Sequence, residues 1–283
     1  MITKKELEEI ARLKGLTLGN AEKDYLIDIA LLSISKTIKN ELVFKGGTCL
    51  YKFHRLNRFS EDLDFSATAK ISVDNIMGRV VSDFKKFGIS AKLHKKREPH
   101  NPILVNLRLE GPLFSGASIS YAKIGIDINL LSSVLLEAET LSYSPIYQEV
   151  PTINVLCMKQ EEIFAEKVRA LMTRQRARDL FDLHFLIKNK IYAEKYIIKK
   201  KMEYYNMDFD INKLIPRINE LESQWEKELK GFVLNLPSFG IVRNHVARRI
   251  KELYLLPISY PHKAQTGSAK FPIEQIHRCL LSI

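Results

Sequence analysis

Asp62-Leu63-Asp64-Phe65 follows the paired glycines of Phe44-Lys45-Gly46-Gly47-Thr48 by one helix length. In an extended segment residues two apart point to the same face, so both carboxylates project together while Leu63 and Phe65 face a core. Like charges held that close call for a counter-ion. A divalent metal with oxygen ligands is the natural one, and magnesium sites of this kind clamp a phosphate during displacement. The competing reading is a strand edge with two solvated aspartates. Gly46 and Gly47 allow a tight turn with positive φ and a close approach of backbone N–H groups to an anion, although glycines alone read equally as a plain strand-to-helix turn.

A third carboxylate, Asp127, sits in a run where Ile124, Ile126 and Ile128 alternate with Gly125, Asp127 and Asn129. Alternation sets Asp127 on the face opposite the isoleucines, which is either solvent or a cleft, and the small Gly125 leaves space beside it. Downstream, Lys167 and Arg174 are seven residues apart. On a helix this puts them on one face, roughly 10 Å apart along the axis, a span that a triphosphate could bridge. The alternative is a solvated basic face in which Glu162, Glu166 and Arg169 form helix salt bridges. Asp179 and Asp182 lie one turn apart, and Arg178 can pair with Asp182 as a buried ion pair, a rival to catalysis there.

The elements that must hold these groups follow from periodicity. Helices are expected over 4–14 and 21–38, separated by Gly15 and Gly19-Asn20. The second is apolar almost all round and therefore buried, which favours packing over a DNA-reading helix pair. Strands are expected at 42–44, 63–65, 89–93, 103–109 and 123–130, with helices at 48–56 and 73–87 between them, a pattern of α/β or α+β type. Residues 142–151 read as a connector, followed by a boundary near Cys157. Beyond it the spacing of Phe239, Val242, Val246, Ile250 and Leu253 is helical. The stretch 257–269 reads as irregular and 271–283 as a terminal helix docking on the core.

Composition narrows the classes. A hydrophobic share of 46% excludes a disordered chain. The net charge of +11 favours polyanionic partners. Cys49, Cys157 and Cys279 have neither zinc spacing nor an even count, so no disulfide framework is expected. No apolar leader or membrane segment is evident, which predicts a soluble cytoplasmic protein.

Taken together, Gly46-Gly47-Thr48-x-Leu50, Arg58-x-Ser60-x-Asp62-x-Asp64-Phe65, Glu166-Lys167-x-Arg169-Ala170-Leu171 and Arg178-Asp179-x-x-Asp182-Leu183 resemble the nucleotidyltransferase toxins of the AbiEii/AbiGii type. Glu22-Lys23-Asp24-Tyr25 is similar to that family's first buried helix. The resemblance runs in order through most of residues 20–190. It implies an α+β fold: a polymerase-β-like core with a mixed sheet flanked by helices over 1–156, and a mainly helical domain over 157–283 that completes the cleft.

The resemblance further implies magnesium, or manganese in its place, an NTP substrate, and a toxin role in a toxin–antitoxin or phage-defence pair with a cognate antitoxin. Some members modify the acceptor end of tRNA. Carried over, Asp62, Asp64 and Asp127 would bind metal. These three, with Lys167 and Asp182, form the expected catalytic set. Gly46, Gly47, Thr48, Lys167, Arg174 and Asp179 would bind the nucleotide. One departure is Met158-Lys159-Gln160, where a serine-like cap is expected at the start of the Lys167 helix.

The resulting expectation is NMP transfer from an NTP to a hydroxyl, on an RNA such as a tRNA 3′ end. Basic residues cluster at 85–97, 174–178 and 188–201, with Arg243, Arg248 and Arg249 further on, and would supply salt-sensitive phosphate affinity. Tyr192, Tyr196, Tyr204 and Tyr205 lie among them and could stack on unpaired bases. The rivals are a protein side chain as acceptor, a nuclease using the same carboxylates, and a silent RNA-binding module. The glycine turn speaks against hydrolysis, and no carboxylate is missing.

Overall fold

The computed structural model describes residues 1–97, 103–130 and 133–255. The expectations for 257–269 and 271–283, and Cys279, fall outside them. The chain opens with α1 (Lys4–Lys14), α2 (Leu18–Thr37), β1 (Leu42–Lys45), α3 (Gly46–His54), β2 (Asp62–Ala67) and α4 (Val73–Lys86). Five strands follow: β3 (Ala91–Arg97), β4 (Ile103–Leu109), β5 (Ala122–Asn129), β6 (Glu139–Tyr143) and β7 (Ile153–Cys157). Six helices complete it: α5 (Gln160–Thr173), α6 (Ala177–Lys188), α7 (Lys195–Glu203), α8 (Ile211–Asn219), α9 (Glu222–Leu229) and α10 (Phe239–Leu255).

The strands form one mixed sheet in the order β3-β4-β5-β2-β1-β7-β6. β2 runs antiparallel to β1 and parallel to β5. Phe44, Phe65 and Ile128 stand opposite one another across these three strands, and all are buried. Leu63, Ile124 and Ile126 share their burial, so the β-branched and aromatic positions point to the core and the alternate positions are left for chemistry.

Helix α2 lies against β2, β5 and β7. Thr17 caps it by accepting from the Asn20 N–H, so the helix starts before Gly19-Asn20, which lie inside it rather than in a separating turn. Residues 24–34 of this helix are buried throughout, charges included. Asp24 and Asp28 meet the Lys52 amine of α3 at 2.6 and 2.7 Å. This is the compensation that a buried carboxylate requires. The reading of α2 as a packing helix holds.

Three strands differ from expectation. The third strand runs over Ala91–Arg97 rather than 89–93, and Ile89 is buried in the loop that leads to it. The expected connector holds the end of β6, and its Tyr147 is buried with its hydroxyl donating to Asp24 at 2.8 Å. β7, absent from the sequence reading, pairs parallel with β1 and antiparallel with β6. Cys49 and Cys157 are buried free thiols. Among the described residues no helix is long and apolar enough to cross a membrane.

Candidate active site

The site begins where β1 turns directly into α3. Gly46 has φ +76°. A Cβ there would sit 2.3 Å from Asp64 Oδ2, so glycine is needed both for its backbone conformation and for the space it leaves. The sheet register then sets Lys45 opposite Asp64 and Asp64 opposite Asp127, in one row across β1, β2 and β5. Asp62 is one pleat away, opposite Gly125, where an added Cβ would lie 2.7 Å from Asp62 Oδ1. The alternation in β5 thus puts Asp127 in the cleft rather than in open solvent.

The cleft has a volume of about 220 Å³, and Gly46, Asp64, Asp127, Lys45, Lys167 and Arg174 are among its lining residues. Burial, then Asp127, push the Asp64 carboxyl up to about 7, although Lys167 and Lys45 oppose the rise. Burial also raises Asp127, against Lys45 and Arg174. Asp62 stands exposed at the rim, raised by the protein packed around it and by Glu61, with Arg178 and Lys23 opposing.

The opposite wall comes from α5, α6 and the bend between them. Lys167 reaches Asp179 at 2.9 Å and Asp182 at 2.7 Å. Arg58 donates to Asp182 through Nε and Nη2, both at 2.9 Å. Arg174 donates to Asp179 through Nε at 2.9 Å and Nη2 at 3.1 Å, while remaining exposed itself. Burial raises the Asp179 carboxyl, but Lys167 and Arg174 outweigh it and hold the group well below the usual carboxylate range.

Arg178 therefore does not pair with Asp182 one turn on. It faces Glu61 at 3.7 Å, because Arg58 and Lys167 already take both oxygens of Asp182. Nor do Lys167 and Arg174 form a solvated basic stripe. The helix ends at Thr173, Arg174 adopts an extended conformation, and both cations turn onto Asp179. Lys159 caps α5 without a side-chain hydrogen bond. Glu162 instead accepts from the Leu135 and Leu136 N–H groups at 2.8 Å.

The remaining expected residues are distributed as follows. Gly47 is buried where a Cβ would stand 2.6 Å from Arg58 Nη2 and 2.9 Å from Ser60 Oγ. Thr48 is fully buried, and its hydroxyl is engaged with Ser60 Oγ and the Asp62 carbonyl, so its side chain supports the turn from behind. Asp182 is fully buried and anchors Arg58 and Lys167.

Sequence reasoning missed Lys45 and the role of Glu166. Lys45 meets Glu166 at 3.1 Å, and Glu166 meets Lys201 at the same distance, joining the glycine turn to α5 and α7. Burial raises Glu166, but Lys45 and Lys201 outweigh this and lower it well below the usual range. A lysine immediately before paired glycines was the available signal. Tyr204 and Tyr205 also line the cleft, whereas Tyr192 and Tyr196 pack against the core.

Among the described residues no three His, Cys, Asp or Glu side chains gather as a metal-holding group. The donors that do converge are hard carboxylate oxygens from Asp64 and Asp127, held together at a cost that a cation would relieve. This donor set fits a divalent metal that completes its coordination with oxygen atoms from outside the chain.

No curated protein matches the sequence. Among solved structures, the fold is similar to MenT4, a nucleotidyltransferase toxin from Mycobacterium tuberculosis H37Rv, with TM-score 0.66 and 19% identity over 91% of each chain. It is also similar to JHP933 from Helicobacter pylori, with TM-score 0.53 and 23% identity over 84% of this chain and 95% of that one. At such identities the likeness speaks for the fold. The family model described as nucleotidyl transferase AbiEii toxin, type IV toxin–antitoxin system, matches residues 30–252. The chain therefore belongs to the AbiEii family of type IV toxin–antitoxin systems and is a nucleotidyltransferase.

Proposed function

We propose that the chain transfers NMP from an NTP to a hydroxyl of RNA, at a tRNA 3′ end, with a divalent cation such as magnesium or manganese held by Asp62, Asp64 and Asp127. The observation that carries this reading is the register-locked pair of like-charged carboxylates facing a Cβ-free turn, with Lys45 in their row and Lys167 and Arg174 across the cleft. When bound, the cation would lower the acceptor hydroxyl's pKa and neutralise charge at the α-phosphate. The chain's residues do the positioning: Gly46 admits the phosphate chain, and Lys167 and Arg174, pre-oriented by Asp179 and Asp182, attract its negative charge. Asp62, two residues from Asp64 on the same face of β2, would complete the carboxylate set at the rim, with Lys23 and Arg178 near it.

RNA as acceptor is supported by the charge of +11 and by this basic rim. The sheet-bearing part, residues 1–156, would hold the cation, and the helical part, 157–283, the phosphates. The protein acts in the cytoplasm, where NTPs and tRNA meet, and is restrained by a cognate antitoxin. The test is incubation with magnesium, each α-labelled NTP and total tRNA, with Asp64→Asn as control. Label on RNA 3′ ends that disappears in the variant is the expected result. Label on protein only, or shortened RNA, overturns it.

A further inference from the structure

Large apolar side chains that remain exposed are few among the described residues, and the only aromatic ones are Tyr204 and Tyr205, at 37% and 40% exposure. They are adjacent in sequence, with ring centroids 5.1 Å apart in an edge-to-face arrangement, and both line the cleft that holds Asp64 and Asp127. The Arg169 guanidinium lies 4.3 Å from the Tyr205 ring centroid, within cation–π range. One cleft thus offers two chemistries: a charged end around Gly46, Lys167 and Arg174, and an aromatic wall of two rings set edge to face.

The wall is built to stay in place. α7 ends at Glu203, and the chain reverses through Asn206 at φ +53°, a backbone conformation that asparagine tolerates better than most side chains. The Met207 N–H returns to the Met202 carbonyl at 3.2 Å and closes the turn that carries both rings. Beneath it the buried Lys201 amine meets Glu162 at 2.6 Å and Glu166 at 3.1 Å. Glu166 also holds Lys45, so the wall and the glycine turn are braced by one carboxylate.

We propose that Tyr204 and Tyr205, with Arg169, are the seat of the nucleobase of the incoming NTP, an assignment that rests on the nucleotidyl-transfer reading and adds its base subsite. A triphosphate drawn to the cationic end leaves its base to be received elsewhere in the same cleft, and the tyrosine wall is the surface there with a π-face. Stacking on such a wall is tolerant of base identity, since every base has a π-face. The site would therefore contribute affinity and orientation more than selection among the four nucleotides.

The test is calorimetric binding, with magnesium and no acceptor, of the four α,β-methylene NTP analogues and of inorganic tripolyphosphate. The wild-type protein should bind the analogues more tightly than tripolyphosphate. In a Tyr204→Ala/Tyr205→Ala double variant the analogues should bind about tenfold more weakly, the scale of base–aromatic stacking, with tripolyphosphate unchanged. A Tyr204→Phe/Tyr205→Phe variant should bind like the wild type. Unchanged analogue binding, or equal weakening of analogue and tripolyphosphate, overturns the proposal. In a separate steady-state transfer assay, a rise in the double variant confined to the Michaelis constant for RNA also overturns it, by assigning the rings to the acceptor's base. Failure of the underlying reading shows separately, as absence of label on RNA in the wild-type protein.

Discussion

Two carboxylate pairs lie within the same cleft region, and the protein treats them in opposite ways. Asp179 and Asp182 are buried, yet every oxygen meets a cation: Lys167 and Arg174 on one, Lys167 and Arg58 on the other. Asp64 and Asp127 face each other across two parallel strands with Lys45 in their row, but Lys45 is bonded to Glu166. The first pair is drawn down in the case of Asp179, and the second is raised, to about 7 for Asp64. Where the chain supplies the counter-charge, an aspartate is a structural anchor. Where it withholds it, the aspartates are left to receive charge from outside.

This contrast can be broken by substitution. Asp64→Asn should reduce nucleotidyl transfer by about 10³-fold or more, the scale of losing a group that organises transition-state charge. Its urea midpoint should stay at or above that of the wild type, because a like charge has been removed. Wild-type turnover in this variant would place the chemistry elsewhere.

Asp182→Ala should, unlike Asp64→Asn, lower stability as well as transfer. It strands Arg58 and Lys167 in a buried setting and should cost about 3–5 kcal/mol of stability by urea unfolding, as broken buried pairs do. A loss of only about 1 kcal/mol, the range of an exposed pair, would show that the network is not an anchor.

Glu166→Gln sharpens the comparison by releasing Lys45 from its partner. The Michaelis constant for NTP should rise roughly tenfold, the scale of one charge-assisted hydrogen bond, with a smaller change in turnover. An effect on turnover alone would mean that Lys45 acts on the reacting atoms and not in binding.

A further expected effect concerns pH. In metal-free protein with chelator, Asp64 has a folded-state pKa near 7, above its unfolded value, so the folded state binds more protons between roughly pH 4 and 7. Its contribution should therefore make stability fall as pH rises through that window and stay level above it. Asp179, with a lowered pKa, contributes stability present above the unfolded value near 4 and lost as pH falls. The difference in stability between Asp64→Asn and wild type should grow from pH 4 to 7; a flat difference removes the assignment.

What was legible in the sequence divides along the same line. The Asp62-Leu63-Asp64-Phe65 strand, the alternating Asp127 strand and the glycine turn follow local rules of period and backbone freedom, and they stand where those rules put them. β7 pairs with β1 across more than a hundred residues, and its five-residue run beside Pro151 carried no periodicity long enough to read. The Arg58 to Asp182 bond joins residues 124 positions apart, so helix spacing offered Arg178 in its place. Sequence spacing shows which side chains share a face, but the face that arrives opposite is decided by packing.

The glycines of the site have a consequence at the level of the gene. At Gly46, Gly47 and Gly125 an added Cβ would fall within 3 Å of Asp64, Arg58 and Asp62 respectively. Every missense change of one base in a glycine codon introduces a Cβ, so at these three codons each single-step substitution forces a side chain of the cleft to shift. For a toxin whose host gains by silencing it, these codons are a short mutational route to a protein that still folds but no longer harms the cell. Survivors of toxin expression should collect substitutions there well above the background of the surrounding sequence.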